Sequence, residues 1–120
     1  MRAVIALQAM LLLLFYINTQ ASELGDIEYI TEDFPPYNFQ EQGVAKGITV
    51  EVLLQVTKEA GQPISREDIY FRPWARGYSR VLSGPMVMLF AMARTPDREQ
   101  HFQWVGPILK TRLVLLGRRA

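Results

Sequence analysis

The order of short strand patterns and helix patterns constrains the fold of this chain more than any other feature. Residues 26–31 (DIEYIT) alternate apolar and polar side chains, which is typical of a half-buried strand. A helical repeat follows at 48–61, then a strand pattern at 68–72, a second helical repeat at 73–84 and an apolar run at 86–93. Strands and helices that alternate in units this short predict an α/β fold, with a parallel sheet flanked by helices and right-handed crossovers.

The two helical repeats predict which side chains the helices bury. In the first, the apolar residues Ile48, Val52, Leu53, Val56 and Ala60 recur at helical spacing and predict one buried stripe. Gly61 stands where a glycine commonly ends a helix. In the second, Pro73 occupies the first turn, and the predicted apolar face consists of Trp74, Tyr78, Val81 and Leu82.

The remaining segments complete the predicted sheet and its loops. The apolar run from Met86 to Met92 has strand length and predicts a central strand that is covered on both faces. Residues 32–47 contain two prolines and two glycines without periodicity, which predicts a loop. Residues 107–117 (PILKTRLVLLG) predict a last strand.

The first 21 residues have the pattern of a secretory signal peptide. Arg2 supplies a positive charge, residues 3–17 are almost entirely apolar, and Thr19 and Ala21 are the small residues of a cleavage site. The apolar stretch is shorter than the roughly 20 residues that span a bilayer, so we expect cleavage rather than an uncleaved anchor. Residues 22–120 then form the mature chain, long enough for one modest core, which has no cysteine to support it.

The formal net charge of +1 hides an asymmetry along the chain. Acidic residues predominate between Ser22 and Asp68, and basic residues predominate from Ile69 onward. A basic half can indicate binding to nucleic acid or to an anionic membrane, but these basic residues are dispersed, and export argues against nucleic acid. We therefore expect no nucleic-acid partner, a membrane role only through the signal peptide, and a face for a small anion or an acidic domain.

Three polar and aromatic clusters follow the three predicted strands: EDFPPY at 32–37, RPWAR at 72–76 and ARTPDR at 93–98. Because ligands bind beyond the carboxyl ends of parallel strands, all three are expected at one edge of the sheet. Phe34 is expected to wall a ligand, with Asp33 available to a cation, or else to anchor the loop. Trp74 could stack on a ligand, but its spacing favours burial against the sheet.

The third cluster has the features of an anion-binding corner. Thr95 and Pro96 form a helix-start signal, and the free N–H groups of a first helical turn attract negative charge. Arg94 or Arg98 would add a guanidinium fork that matches a carboxylate. The alternative is that both arginines form ordinary surface ion pairs with the acids of the same turn. Taken alone, the hexapeptide favours the ion pairs, because surface ion pairs are common.

Catalytic chemistry has little basis in this sequence. His101 is the only histidine, cysteine is absent, and no serine lies in a nucleophile elbow. Glu32 and Asp33 are adjacent in a loop, which does not hold two carboxylates at a fixed separation. Neither metal-ligand spacing nor a cofactor motif is present. The sequence therefore predicts a binding protein without a cofactor rather than an enzyme.

Four segments of the chain resemble the bacterial extracellular solute-binding proteins of family 3, periplasmic receptors that deliver polar amino acids to ABC transporters. The segments are EYITEDFPPYNF, KGITVEVLLQVTKEAG, FRPWARGYSRVLSG and ARTPDREQHFQWVGPI, and their order and spacing cover nearly all of the mature chain. The resemblance implies an α/β lobe of a type II periplasmic binding protein. It also implies a periplasmic location, a small-molecule ligand and an ABC-transporter permease as partner.

The resemblance also implies roles for individual residues. Arg98 corresponds to the arginine that binds the α-carboxylate of the ligand, with Thr95 beside it. Phe34 and Trp74 correspond to aromatic walls, with Asp33 next to the first, and Ala91 to Ala93 correspond to the strand end that lines the cleft. Alanines stand there in place of the serines frequent in the family. Arg94 is expected to be a supporting charge.

Only the first of the two lobes of that family is represented, so we expect the chain to be a fragment of a longer receptor or a truncated product. Two other kinds of function stay open. The same lobe begins the sensor region of some membrane kinases and the regulatory part of some murein lytic transglycosylases. A non-binding remnant that recruits a partner is the third alternative.

Overall fold

The computed structural model describes residues 23–112 and 114–118. Five strands and two α-helices occur among them, in this order: β1 (Glu28–Thr31), β2 (Phe39–Glu41), β3 (Val44–Lys46), α1 (Ile48–Glu59), β4 (Ile69–Phe71), α2 (Trp74–Ser83) and β5 (Val87–Leu89). Short 3₁₀ helices are present at Leu24–Asp26, Arg66–Asp68 and Glu99–His101. The expected signal peptide, residues 1–21, lies outside the described residues.

The main sheet has three strands in the order β4-β1-β5, and both neighbours of β1 are parallel to it. The predicted α/β class with a parallel sheet flanked by helices is therefore confirmed. Tyr29 pairs with Ile69 on one side and with Met88 on the other. Parallel pairing through β1 brings the carboxyl ends of all three strands to one edge.

The prediction that Met86–Met92 forms the central strand is wrong, because β1 occupies the centre and β5 lies at the edge. The side chains of β5 are only half-buried, whereas Tyr29, Ile30 and Thr31 of β1 are almost completely buried. The sequence did not predict that β1 is central, because two of its buried residues carry polar atoms. The Tyr29 hydroxyl donates to the Leu24 carbonyl at 2.8 Å, and the Thr31 hydroxyl donates to the Phe90 carbonyl at 3.2 Å.

The two helices pack against opposite faces of β1. Tyr29 belongs to the core cluster that includes Val50 of α1, and its neighbour Ile30 points to the other face. There Gly77 of α2 lies so close that an added Cβ would stand 3.2 Å from Cγ2 of Ile30 and 3.4 Å from Cδ1 of Leu89. The sheet is thus covered by one helix on each side, as expected for an α/β layer arrangement.

The buried stripe of α1 differs from the predicted one. Ile48, Val52 and Val56 are exposed, and the buried residues of the helix are Thr49, Val50 and Thr57, with Leu53 and Leu54 partly buried. The helix is apolar on more than one side, so periodicity alone could not select the face. The buried face is the one whose threonine hydroxyls find acceptors. The Thr49 hydroxyl donates to the Tyr37 carbonyl in the preceding loop, and the Thr57 hydroxyl donates to carbonyls of the helix itself.

The C-terminus of α1 follows the prediction that Gly61 ends the helix. Gly61 has a φ of +76° and its N–H donates to the Lys58 carbonyl, while the Gln62 N–H donates to the Thr57 carbonyl. This pair of bonds is the Schellman arrangement, which satisfies two carbonyls at the helix end. At the other end, the N–H groups of Ile48 and Thr49 donate to the carbonyls of Pro36 and Tyr37.

The predicted loop 32–47 contains regular structure that the sequence did not indicate. Strands β2 and β3 form an antiparallel hairpin in which Phe39 pairs with Lys46. The hairpin turns at Gln42 and Gly43, which both have positive φ angles. Gly47 then enters α1 with a φ of +115°, and an added Cβ there would stand 2.3 Å from the Tyr37 carbonyl oxygen.

Replacing Gly47 with alanine is expected to destabilise the lobe much more than replacing Gly43. Both glycines have a positive φ, which alone costs a non-glycine residue about 1–2 kcal/mol. At Gly43 an added Cβ meets nothing within 4 Å, whereas at Gly47 it collides with backbone. Thermal unfolding of the two variants measures the difference. Equal melting temperatures would contradict the close approach between Gly47 and Tyr37.

In α2, Trp74, Tyr78 and Val81 are partly buried as predicted, but Leu82 is half-exposed and the only fully buried residue of the helix is Gly77. The predicted last strand, residues 107–117, is not formed in the described part of the chain, where its residues are exposed. None of the strands in the described residues pairs with this segment. Among the described residues, no helix is long and apolar enough to cross a bilayer.

Candidate functional site

The segments that follow β1, β4 and β5 lie together at the carboxyl edge of the sheet. Hydrogen bonds continue the ladder just beyond the strands: the Arg72 N–H donates to the Thr31 carbonyl at 2.9 Å, and the Phe90 N–H donates to the Ile30 carbonyl at 3.0 Å. The edge predicted from the strand order is therefore the one where the three polar and aromatic clusters begin.

A buried amide holds the first of these segments in place. Asn38 is 1% exposed, its Nδ2 donates to the Glu32 carbonyl at 2.5 Å, and its Oδ1 accepts from the Thr49 hydroxyl at 3.2 Å. Asp33 accepts a hydrogen bond from the Gln40 N–H at 3.2 Å. The backbone of residues 32–38 is thus fixed to the hairpin and to α1, and the Asp33 carboxylate at its start is held by the hairpin.

An open cleft of about 370 Å³ lies between the first two segments. The residues that line it are Glu32, Asp33, Phe71, Arg72, Pro73 and Trp74. The lining includes two carboxylates, a guanidinium and an indole, so the cleft offers both charges and a flat apolar wall. This combination suits a small polar molecule better than an apolar one.

Arg98 lies against two aromatic rings. Its guanidinium carbon is 5.0 Å from the centre of the Trp74 ring and 5.6 Å from that of Tyr78, and the two rings contact each other at 5.5 Å. One of its N–H groups donates to the Ala93 carbonyl at 3.2 Å. None of the ion pairs within residues 23–112 and 114–118 involves Arg98. Its position is therefore set by stacking and one neutral acceptor, and no carboxylate neutralises its charge there.

Arg94 has a different environment. Its guanidinium binds the carboxylate of Glu99 through two N–H groups, one of them at 2.7 Å, and lies 5.5 Å from the centre of the Trp104 ring. The hydrogen bonds from Arg94 lower the pKa of Glu99 below its ordinary value of 4.5. The surface ion pair that the sequence offered as an alternative is thus found at Arg94, and not at Arg98.

Replacing Arg94 with alanine is expected to raise the pKa of Glu99 back toward 4.5, because the hydrogen bonds that stabilise its charged form are removed. Because the pKa of Glu99 is lower in the folded state than in the unfolded state, the ion pair stabilises the fold at pH values above the ordinary pKa of glutamate. This stabilisation is lost as the pH falls through the lowered pKa of the folded state. Carbon-detected NMR titration of the Glu99 carboxyl measures the shift. An unchanged pKa would show that the pair does not persist in solution.

The segment Thr95–Arg98 forms a turn rather than the start of an α-helix. The Thr95 carbonyl accepts from the N–H groups of Arg98 and Glu99 at 3.0 Å each, and the 3₁₀ helix that follows spans only Glu99–His101. The expected cap at Thr95 is therefore wrong, and with it the expected contribution of a helix dipole. The Thr95 hydroxyl is buried and has no partner among the described residues. His101 is exposed and lies in the 3₁₀ helix.

Comparison with known protein families matches residues 28–120 to the bacterial extracellular solute-binding proteins, family 3. The chain belongs to this family. A search among curated proteins and a search among solved structures each gave no match. The resemblance inferred from the four segments is thereby confirmed, and a general solute-binding function follows from it.

Within this solute-binding lobe, the structure brings some of the predicted residues together and leaves others apart. Arg98 contacts two of the other predicted residues, Trp74 through the stack on its ring and Ala93 through the hydrogen bond to its carbonyl. Asp33 lines the cleft with Trp74. Phe34 is 54% exposed and stacks on Tyr37 at 5.6 Å, so it does not line that cleft.

The sequence did not indicate two of the residues that shape the site. Tyr78 was assigned to the apolar face of α2, yet its ring also contacts Arg98 and meets Phe102 edge-on at 5.5 Å. Arg72, the first residue of the second cluster, lines the cleft and lies 5.5 Å from the Tyr70 ring, although no role was predicted for it. The spacing of Trp74 and Tyr78, four residues apart on one helix, is the signal that predicts two neighbouring rings on one face of that helix.

Proposed function

We propose that this lobe binds a small carboxylate, with a polar amino acid as the first candidate, and that Arg98 binds the carboxylate group. The observation that carries the proposal is the contrast between the two arginines of the third segment. Arg94 is already paired with Glu99, whereas Arg98 has its charge uncompensated among the described residues and its position held by Trp74 and Tyr78.

The way Arg98 is held favours an anionic ligand. Aromatic rings attract the face of a guanidinium, while its N–H groups lie in the plane and stay available for hydrogen bonds at the edge. A carboxylate accepts two such bonds in parallel, which is stronger and more selective than pairing with a lysine ammonium. The Arg98 guanidinium is held by aromatic rings and has no carboxylate partner among the described residues. It therefore offers the charge and the geometry that a ligand carboxylate needs.

The other predicted residues take supporting roles in the same proposal. Asp33 lines the same cleft as Trp74 and would attract the ammonium group of an amino acid, while Trp74 supplies a flat wall. The unpartnered Thr95 hydroxyl would donate to the same carboxylate as Arg98, which would satisfy a buried polar atom. Ala93 contributes its carbonyl to the positioning of Arg98, and Phe34 an exposed ring at the margin.

Membership of an extracellular solute-binding family, together with the signal-peptide pattern, supports a proposed periplasmic location and delivery of the ligand to an ABC-transporter permease. Export is expected to remove residues 1–21. N-terminal sequencing of periplasmic material should then begin at Ser22, and full-length protein retained in the membrane would contradict this.

The test of the ligand class is calorimetric titration of the folded protein with a panel of polar amino acids, small carboxylates without an amino group, and amino-acid amides. Since the cleft is open to water, binding is expected to be weak, on the order of millimolar. Carboxylates should bind, and the amides, which lack the charge, should not. Equal binding of amides and carboxylates, or no binding of any member of the panel, would contradict the proposal.

A further inference from the structure

Four aromatic rings form a continuous row that runs from α2 to the segment after the last 3₁₀ helix. The rings are, in order, Trp74, Tyr78, Phe102 and Trp104. Arg98 lies on the first two rings, and Arg94 lies on the last. The ring of Phe102 therefore stands between the rings that carry the two arginines. In the described part of the chain, neither guanidinium lies over the Phe102 ring itself.

Phe102 is placed by its ring contacts rather than by the apolar core. It directly follows the 3₁₀ helix Glu99–His101, with an extended backbone, and it is partly buried. The core cluster of the described residues does not include it. Its ring meets Tyr78 edge-on at 5.5 Å and 73°, and it meets Trp104 edge-on at 5.8 Å and 84°. These edge-to-face contacts are specific in direction, so they fix the orientation of the neighbouring rings.

The ring of Tyr78 connects Phe102 to Arg98. The close approach of Gly77 to Ile30 fixes the backbone of α2 against the sheet, but the tyrosine side chain still has a choice of rotamers. Phe102 restricts that choice from one side, and the guanidinium carbon of Arg98 lies 5.6 Å from the centre of the same ring. Loss of the Phe102 ring therefore loosens one of the two rings on which Arg98 lies.

We propose that Phe102 is a positioning residue of the carboxylate site, which holds the Arg98 guanidinium in place through the Tyr78 ring. The inference rests on the proposed function of Arg98. Among the described residues, the Arg98 side chain has one hydrogen bond, to the Ala93 carbonyl, and no ion pair, so the rings restrict most of its freedom. A side chain that is held before the ligand arrives loses less conformational freedom on binding, which raises the affinity.

The NMR signal of the Arg98 Nε–H proton tests the positioning in the ligand-free protein. Aromatic ring faces shift this signal upfield, and its loss in Arg98→Lys assigns it. Phe102→Leu keeps an apolar side chain but removes the ring, so the signal should move downfield, whereas Phe102→Tyr keeps the ring and should restore the parent value. His101→Leu is the matched control, because the His101 ring contacts Phe102 at 6.4 Å and is exposed. It should leave the Arg98 signal unchanged.

Titration with L-glutamine, followed by the same signal, measures the effect on affinity. The dissociation constant should rise about three- to ten-fold in Phe102→Leu, as expected for the loss of one aromatic pair, and should stay close to that of the parent in Phe102→Tyr and His101→Leu. Circular dichroism should show the same fold in every variant, because Phe102 lies outside the core cluster. If Phe102→Leu does not fold, Phe102→Met serves as the ring-free variant.

The outcomes separate this inference from the proposed function. An unmoved Arg98 signal in the ring-free variant, an equal shift in His101→Leu, or weaker binding that Phe102→Tyr does not restore would each overturn the role of Phe102 alone. A parent protein that binds neither L-glutamine nor any other carboxylate of the panel would overturn the proposed function, and the role of Phe102 in binding with it.

Discussion

Replacing Val50 with aspartate is expected to unfold the lobe, whereas the same replacement at Val52 is expected to leave it folded. Val50 is 0% exposed and belongs to the core cluster with Tyr29 and Phe90. A carboxylate introduced there has no partner, and burying an unpaired charge costs several kcal/mol. That is a large part of the about 5–15 kcal/mol that stabilises a domain of this size. Val52, on the same helix, is 37% exposed, so its replacement keeps a new carboxylate in contact with water.

The comparison is informative because the two variants have the same change in composition and in net charge. Thermal and urea unfolding followed by circular dichroism would measure it. The Val50→Asp variant should lack a cooperative transition, and Val52→Asp should keep one with a melting temperature near that of the parent. The reverse result would show that α1 buries the stripe predicted from its periodicity and would contradict the packing described above.

The helix α1 illustrates what sequence patterns predict and where they stop. Its existence, its approximate bounds and its glycine terminus follow from local chemistry, since helix periodicity and the Gly61 conformation are local properties. The choice between the Ile48 stripe and the Val50 stripe is not local. It depends on the buried Asn38 and on the loop carbonyl of Tyr37, both of which bind Thr49. Those partners are not visible in the helix sequence.

The prediction of the central strand was wrong for a related reason. An uninterrupted apolar run predicts burial on both faces, and by that criterion β5 is more central than β1. The polar atoms of Tyr29 and Thr31 are satisfied by carbonyls outside their own strand, which allows β1 to be buried despite its composition. The hairpin β2–β3 was missed because its strands have three residues each, too few for a period of two to be recognised.

The candidate site could be located from the sequence more reliably than its geometry. The strand order alone placed three clusters at one edge, and the structure confirms that edge. The family resemblance favoured Arg98 over Arg94, and the helix start expected at Thr95 is not formed. The contrast now rests on different grounds: Glu99 pairs with Arg94, and the rings of Trp74 and Tyr78 hold Arg98. Both kinds of contact join residues whose partners the spacing did not identify.

Replacing Arg98 with alanine is expected to abolish carboxylate binding while leaving the fold intact. The variant loses the guanidinium that the proposed ligand requires, and a charge-assisted bidentate interaction is worth enough to weaken binding by about 100-fold. From a parent dissociation constant on the order of millimolar, such a loss removes measurable binding. The melting temperature should fall by only a few degrees, because each cation–π contact contributes about 0.5–1 kcal/mol at an exposed site.

Two further variants separate the role of Arg98 from a general effect of positive charge. Arg98→Lys keeps the charge but loses the planar fork and the stacking on Trp74 and Tyr78, so it should bind the carboxylate more weakly than the parent and more strongly than Arg98→Ala. Arg94→Ala removes one positive charge from the same segment and breaks only the pair with Glu99 and the contact with the Trp104 ring, so its affinity should stay close to that of the parent. Calorimetric titration of the three variants with the same ligand gives the order of their affinities. If Arg94→Ala loses binding and Arg98→Ala retains it, the ion pair with Glu99 opens in the bound state and Arg94 is the carboxylate ligand. If all three variants bind like the parent, the carboxylate lies elsewhere on the lobe, because neither guanidinium of the segment then contributes to its affinity.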